Sequence, residues 1–448
     1  MAKRLNYSPE TSRIEQLPDD LLLLILASLS NLGEIARTSI LSRRWKNVWH
    51  NITCLDFDAT TVLSVKKLRK CQAWWYIAWV NKVIDTRVGF PSVKELRIQY
   101  KLDVTQGPHI DRWINFAIAN PVETLYLEFG GYIGIISQNH QYKLSEESWY
   151  KAPSGLSNIK CLKSLHLSSV NVSKQFIEFV ISSCPLLEDL SLHNSGSYKD
   201  LDVSGVPPLR LRHLKINAAE DFALTTLCAP YLTTFYYNAH SRKFNPQKID
   251  VPLLTELAVS SNYGSQRIMK YLEHFWSYLP QLEKLELIMF KPQRFMVKPM
   301  PEMFKLKYLM IRANWDTDPI FHRIIKFINA CPLLETFAFE IVNKEEIPSP
   351  MSIQRHGRKE RKVEKSCFKN LKVLELYGVD GITIDQVVVK CIVSKAPILE
   401  KLTVDIREVC RFPIFLSSKP EIVEVVEAKA KELCKGRPIE IEIKDVVG

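Results

Sequence analysis

Glycine is scarce in this chain: fifteen residues in 448, near half the usual ~7%. Loops that cradle phosphate need glycine where backbone N–H groups approach an anion closely. No GxGxxG, GxxxxGKS/T or GxSxG occurs. The common nucleotide-binding enzymes and nucleophile-elbow hydrolases are therefore excluded. The ten cysteines form no CxxC pair and stand singly among apolar residues, as free core thiols do. That argues against a zinc knuckle or a thioredoxin-like site. Long apolar runs are absent as well. The longest early one, Leu21 to Ala27, falls far short of the ~20 residues of a membrane span. The polar start, MAKRLNYSPETSR, lacks the apolar stretch of a signal peptide. We expect a soluble protein of a reducing compartment, cytoplasmic and/or nuclear, with no membrane partner.

Lysine and arginine exceed aspartate and glutamate by 60 to 49, a net charge of +11. The bases are dispersed, without aromatic interleaving, so no nucleic-acid partner is expected. Their densest cluster, Arg355 to Lys365, follows Ile347-Pro348-Ser349-Pro350 and includes Glu360 and Glu364. It reads as a solvated loop. There is no HExxH and no metal-spaced His/Cys cluster, and the ten histidines are scattered. We expect no catalytic residues, no metal and no cofactor.

What the chain does have is a repeat. Segments of the form LxxLxL, often PxLExLxL, recur twelve times from PSVKELRI (91–98) to PILEKLTV (397–404). Nine of the eleven gaps between them lie within 21–29 residues, the period of a leucine-rich repeat. LxL alternates as a strand. One strand cannot bury its apolar face alone, so stacked neighbours form a parallel sheet over one continuous core. Between strands, Ser173–Ser182, Gln266–Leu279, Asp318–Asn329 and Ile384–Ser394 carry apolar residues at helical spacing. The fold class is α/β: a strand–helix solenoid with a parallel sheet and helices on its convex side. Two long gaps mark insertions, Gly130–Asn158 and Val342–Ser366.

Residues 14–49 differ in character. Pro18 suits a first helical turn, and Asp19 and Asp20 complement the helix dipole there. Leu21, Ile25, Leu29, Ala36, Ile40, Trp45 and Trp49 read as the apolar set of a small helical bundle. About forty residues cannot be stable alone, so a partner or the solenoid should cover its apolar face. The segment resembles the F-box. The matching residues are Leu17-Pro18, Leu21, Ile25, Leu29, Arg37-Thr38-Ser39, Leu41-Ser42, Arg44-Trp45 and Trp49. The ending RTSxLSxRWxxxW is that of plant F-box proteins. At SLSNLGEIAR the chain departs from the plant pattern, which has a proline after the leucine and one residue fewer; the departure centres on Ser30–Glu34.

Residues 367–410 resemble the FBD region of many plant F-box proteins, on Leu371, Leu374, Leu376, Gly378, Gly381 and Ala396–Lys401. The organisation read from the sequence follows. Residues 1–13 are a disordered start and 14–55 the F-box. A helical linker, 56–90, packs the module onto the solenoid and contains CQAWWYIAWVNKVID (71–85). Leucine-rich repeats occupy 91–366 and the FBD region 367–410. A helix and strand, 411–448, cap the open end.

The resemblance implies an adaptor role without chemistry of its own. The F-box would dock a Skp-type adaptor through Leu17, Pro18, Leu21, Ile25 and Leu29, and through it a cullin–RING ubiquitin ligase. An unknown protein substrate would sit on the repeats. Outward strand positions supply the candidate contacts: Tyr126, His166, His213, Lys215, Tyr236 and Tyr308, since tyrosine and positive charge suit interfaces. A ligand-sensing F-box receptor, and a repeat scaffold without a ubiquitin role, remain open as alternatives.

Overall fold

The computed structural model describes residues 13–29, 32–62, 73–87, 93–130, 137–145, 149, 156–196, 200–205, 208–218, 223–239, 246–261, 265–289, 300–313, 324, 327–341, 368–378, 387–406 and 420–444. The first twelve residues, Ser30 and Asn31, and the second insertion with its basic cluster lie outside them. The chain divides into two compact units, Met1–Val172 with Ser183–Leu187, and Ser173–Ser182 with Glu188–Gly448.

The first unit begins with three helices, α1 (Asp19–Ala27), α2 (Leu32–Arg37) and α3 (Arg43–Val48). Pro18 precedes α1 as its cap, and its carbonyl accepts from the Leu21 and Leu22 amides at 3.1 Å. Arg44 fastens α3 to the start of α1, donating to Asp19 Oδ1 at 2.8 Å and to the Leu17 carbonyl at 2.5 Å. The core consists of Leu22 and Leu26 with Leu32, Ile35, Trp45 and Val48. This corrects the apolar set expected from spacing. Leu21, Ala36 and Ile40 are exposed, and Ile25, Leu29 and Trp49 are only half-buried. The reason is local: Leu21–Leu26 is an unbroken aliphatic run, so periodicity could not fix which face turns inward. Glu34, expected in a loop, lies within α2.

A strand follows where the sequence suggested only a helical linker. β1 (Cys54–Asp58) pairs in parallel with β2 (Glu95–Gln99), and β2 with β3 (Thr124–Glu128) and β3 with β4 (Ser164–Ser168), without a register shift. Helices α4 (Ala73–Asp85) and α5 (Gly107–Ala119) lie between these strands in sequence. Tyr76 of α4 donates to the Phe57 carbonyl at 2.6 Å, stacks on Tyr100 at 4.4 Å and meets Trp113 of α5 edge-on. Trp113 Nε1 donates to Asn81 Oδ1 at 2.8 Å. Arg87, buried just after α4, donates to the carbonyls of His50 and Ile52. Its guanidinium lies 5.5 Å from the Trp49 ring centroid, and burial lowers its pKa to about 10. The tryptophan-rich linker is thus a core joining the helical module to the first strands. Within the first insertion, Tyr142–Leu144 pairs with Val170–Val172.

The second unit carries ten parallel strands in sequence order. They are β5 (Asp189–His193), β6 (His213–Ala218), β7 (Thr234–Ala239), β8 (Glu256–Ser261) and β9 (Lys284–Met289), then β10 (Tyr308–Ala313), β11 (Thr336–Ile341), β12 (Val373–Tyr377), β13 (Lys401–Asp405) and β14 (Glu440–Lys444). From β5 to β13 the second and fourth residues of each strand are buried, Leu285 and Leu287 for example. Each such leucine contributes about 1.5–3 kcal/mol. Helices α6 (Lys174–Ser183), α7 (Ser265–His274) and α8 (Val387–Lys395) belong to return segments.

Three returns between β5 and β8 are instead short strands, Leu201–Val203, Leu224–Cys228 and Lys248–Asp250, which form a ladder of their own. The shortest repeats, 21 to 24 residues, lie here, and extended chain covers the return with fewer residues than a helix does. Helix α9 (Pro420–Leu433) is followed by Gly436, whose φ of +82° turns the chain into β14. β14 pairs with β13, and its Ile441 and Ile443 are half-exposed.

Candidate functional site

Three surfaces carry the candidate residues. The first is on the helical module. Pro18 and Leu21 are exposed, and Leu17, Ile25 and Leu29 are half-buried. Leu24, Ile40 and Leu41, which the sequence reading did not assign to this surface, are 63–85% exposed. The module's own core is filled by Leu22, Leu26 and Trp45, and the exposed Leu24, Ile40 and Leu41 lie outside it. These exposed apolar side chains belong to α1 and to the turn between α2 and α3.

The second surface lies on the outward face of β1–β4. Arg97, Tyr126 and His166 stand at the same register on adjacent strands. The Arg97 guanidinium lies 4.3 Å from the Tyr126 ring centroid, and Tyr126 stacks on His166 at 4.0 Å with the planes 4° apart. Arg97 is oriented by Gln99 Oε1 at 2.7 Å and by Asp56 and Asp58 at 3.8 Å. The Tyr126 hydroxyl donates to Glu128 at 2.5 Å. Burial, then that bond and the Glu128 charge, raise the Tyr126 pKa, so it stays protonated. Burial also lifts the Asp56 carboxyl above its ordinary value, against the opposing pull of Arg97. Sequence reasoning chose Tyr126 and His166 as contacts and left Arg97 among the other outward positions. Only the pairing of β2 with β3 brings it into the stack.

The third surface is the outward face of the second unit. His213 and Lys215 stand two residues apart on β6, His213 lying 3.9 Å from Asp189. Half-buried Tyr236 is the register neighbour of exposed Lys215. Tyr308 belongs to a separate group. Its hydroxyl reaches Glu375 two strands away at 3.4 Å, and Tyr377 donates to the same oxygen at 3.0 Å. Ala338 on the strand between leaves that path open. Lys284 Nζ sits 5.2 Å from the Tyr308 ring centroid and 2.9 Å from Glu286. Burial works to lower the Lys284 pKa, but the Glu286 bond and the charges of Glu286, Glu256 and Glu375 raise it overall. The six candidates are therefore three groups: Tyr126 with His166, His213 and Lys215 with Tyr236, and Tyr308. Lys284 and Glu375 were read as outward positions but not chosen as contacts, and Tyr377, just beyond the repeat segment, was missed; their meeting depends on side-chain reach across strands.

Among the described residues no group of three His, Cys, Asp or Glu is placed to hold a metal ion. None of the described helices is long and apolar enough to cross a membrane. Of the cysteines, Cys184, Cys331 and Cys434 are buried, Cys161 and Cys228 half-buried, and Cys54 is exposed at the start of β1. Although the residue as a whole is exposed, local desolvation of its sulfur, then the Glu95 charge and bond, push the Cys54 thiol up to about 12.

A helical module with an outward apolar face, followed by parallel leucine-rich strands, defines an F-box protein with a repeat domain. The F-box domain profile matches residues 14–56. The profile described as At1g61320/AtMIF1, LRR domain matches residues 87–421, well over half of the chain. The chain belongs to the F-box/leucine-rich-repeat family. It is 28% identical over 270 residues to F-box protein At5g03100 of Arabidopsis thaliana, covering 58% of this chain and 78% of that one. It is 30% identical over 249 residues to F-box/LRR-repeat protein At3g03360 of Arabidopsis thaliana, covering 49% of this chain and 46% of that one. F-box/LRR-repeat protein 25 of Arabidopsis thaliana is 28% identical over 216 residues, 47% of this chain and 77% of that one. The chain thus spans about half the length of some of its curated relatives and over three quarters of others.

Proposed function

We propose that this protein is the substrate-recognition subunit of an SCF-type cullin–RING ubiquitin ligase, and is not itself an enzyme. The observation that carries the reading is the unfilled apolar face of the F-box module. Leu21 and Leu24 stand outward on a helix whose Leu22 and Leu26 already close the core, and exposed Pro18 caps its start. A Skp-type adaptor docks there, with Leu17, Ile25 and Leu29 at the margin of the contact and Ile40 and Leu41 extending it. The adaptor connects the chain to the ligase, where a RING-bound enzyme supplies the chemistry.

The substrate is a protein held on outward strand positions. In the first unit these are Tyr126 and His166 with Arg97; in the second, His213, Lys215, Tyr236 and Tyr308. Aromatic side chains fixed by neighbours lose little entropy on binding, which suits them to anchor a partner. The test is co-purification of the chain with a Skp-type adaptor, wild type against Leu24→Ala/Leu41→Ala. The complex forms with the wild type and is lost in the variant. Failure of the wild type to associate overturns the proposal and favours a repeat scaffold without a ubiquitin role.

A further inference from the structure

The outward face of β1–β4 runs against the charge of the chain. Lysine and arginine exceed aspartate and glutamate by 60 to 49 over the whole sequence. On this face Asp56, Asp58, Glu95 and Glu128 stand with one base, Arg97, and no other outward position of the four strands holds a lysine or arginine. Lys94 and Lys163, at the edge where β2 and β4 begin, both pair with Glu123, at 3.7 and 2.6 Å.

Arg97 does not satisfy these carboxylates. It lies 3.8 Å from Asp56 Oδ1 and 3.8 Å from Asp58 Oδ2, beyond hydrogen-bond distance. Its guanidinium is committed instead to Gln99 Oε1 at 2.7 Å and to the Tyr126 ring. Its buried Nε has no hydrogen-bond partner.

Asp58 is only 7% exposed. Its Oδ1 accepts from the Thr60 amide at 2.8 Å, while among the described residues its Oδ2 receives no hydrogen bond. A carboxylate withdrawn from water in this way is costly until a donor or cation reaches it. Asp56 is held in the same manner, its Oδ1 accepting from the Asp58 amide at 2.9 Å. Each carboxyl keeps one oxygen for a donor from outside. Among the described residues no group of three His, Cys, Asp or Glu is placed to hold a metal ion, so the chemistry that fits is an N–H-bearing cation.

The carboxylates are also spaced. Glu95, Asp56 and Asp58 occupy the first, third and fifth levels of the paired strands β1 and β2, about 6.7 Å apart along the strand direction. Alternate residues of any extended chain have that same spacing.

We propose that this face docks an extended basic segment of the protein substrate, with lysine or arginine at alternate positions. The cations meet Glu95, Asp56 and Asp58, and the Tyr126–His166 stack flanks the segment. A chain of net positive charge repels such a segment at long range, so binding depends on this local excess of carboxylate. The inference rests on the reading of outward strand positions as the substrate surface, and it does not rest on adaptor docking.

The test is fluorescence anisotropy on the full chain with a labelled extended peptide carrying lysine at alternate positions, and with its glutamate counterpart. At low salt the lysine peptide binds the wild type about tenfold more tightly than the glutamate peptide. The advantage disappears at ~1 M salt, where the screening length is ~3 Å. The variant D56N/E95Q weakens the lysine peptide about tenfold, and its thermal midpoint does not fall. The variant D20N/D85N removes the same charge elsewhere in the first unit and leaves the affinity within about twofold. Equal binding of both peptides by the wild type, or equal loss in the two variants, overturns the proposal. Lys66, Lys67, Arg69 and Lys70 follow β1 in sequence and lie outside the described residues. A complex about tenfold tighter in K66Q/K67Q/R69Q/K70Q means that the chain's own bases take this place, and overturns it. So does low-salt self-association that D56N/E95Q disperses. Titration of the same preparation with a Skp-type adaptor separates the two readings. Adaptor binding without peptide binding removes this inference alone, and loss of both removes the substrate-recognition reading as well.

Discussion

Leu21 and Leu22 are neighbours on α1 with opposite surroundings: Leu22 is fully buried against the module's core, and Leu21 is 44% exposed on its outer face. On the proposed adaptor reading, the two positions separate folding from recognition. Leu22→Ala leaves a cavity, which costs about 2–5 kcal/mol. Leu24→Ala/Leu41→Ala truncates residues that are 66% and 63% exposed, so stability changes by less than about 0.5 kcal/mol. Denaturant unfolding followed by fluorescence distinguishes them. Seven of the nine tryptophans lie before residue 150, so the signal reports mainly on the first unit.

Arg87 holds the carbonyls of His50 and Ile52, in the segment that leads into β1. Arg87→Met keeps the length of the side chain and leaves those oxygens without their charged donor. Hydrogen bonds to charged groups contribute about 1.5–3 kcal/mol each, and the variant should lose roughly 2–4 kcal/mol in the same measurement. An unchanged midpoint contradicts the role of Arg87 as the tie between module and repeats.

Asp56 yields a pH prediction. Burial, then the charges of Asp58 and Glu95, hold its carboxyl above the ordinary value despite Arg97 and the Asp58 amide. The folded chain therefore binds this proton more tightly than the unfolded chain. The corresponding stability is complete below the unfolded pKa of about 3.9 and is lost as pH rises through the raised folded value. Asp56→Asn removes the cost of ionisation. It raises the thermal midpoint at neutral pH by about 1–2 °C, and the gain vanishes near pH 3. A gain that persists in acid contradicts the assignment.

Gly436 has a φ of +82°, and a Cβ placed there meets nothing within 4 Å. Gly436→Ala is therefore strained by backbone conformation alone, at about 1–2 kcal/mol. The effect appears as earlier amide exchange in β14, the strand that closes the ladder. Unchanged exchange there contradicts the capping role.

The repeats were legible because LxL shows the two-residue period of a strand and recurs at nearly constant spacing. β1 was not, since ITCLDFD has one leucine and a phenylalanine where the pattern has a second leucine. The extended returns near 201, 224 and 248 carry no period long enough to read. In α1 the aliphatic run hid the inward face, and only the positions of Trp45 and Val48 decide it. Tyr126 and His166 were found as outward positions, but the Arg97 stack and the reach of Tyr308 to Glu375 depend on strand neighbours. The order of the repeat strands followed from the repeat itself, but which side chains reach one another across them is a property that no local window contains.

The central claim is that the F-box face docks an adaptor, and isothermal titration of the full chain with a purified Skp-type adaptor tests it most directly. The account predicts a saturable one-to-one complex, weakened at least tenfold in Leu24→Ala/Leu41→Ala with the thermal midpoint unchanged. Absence of heat with the wild type, or equal affinity in the variant, contradicts it.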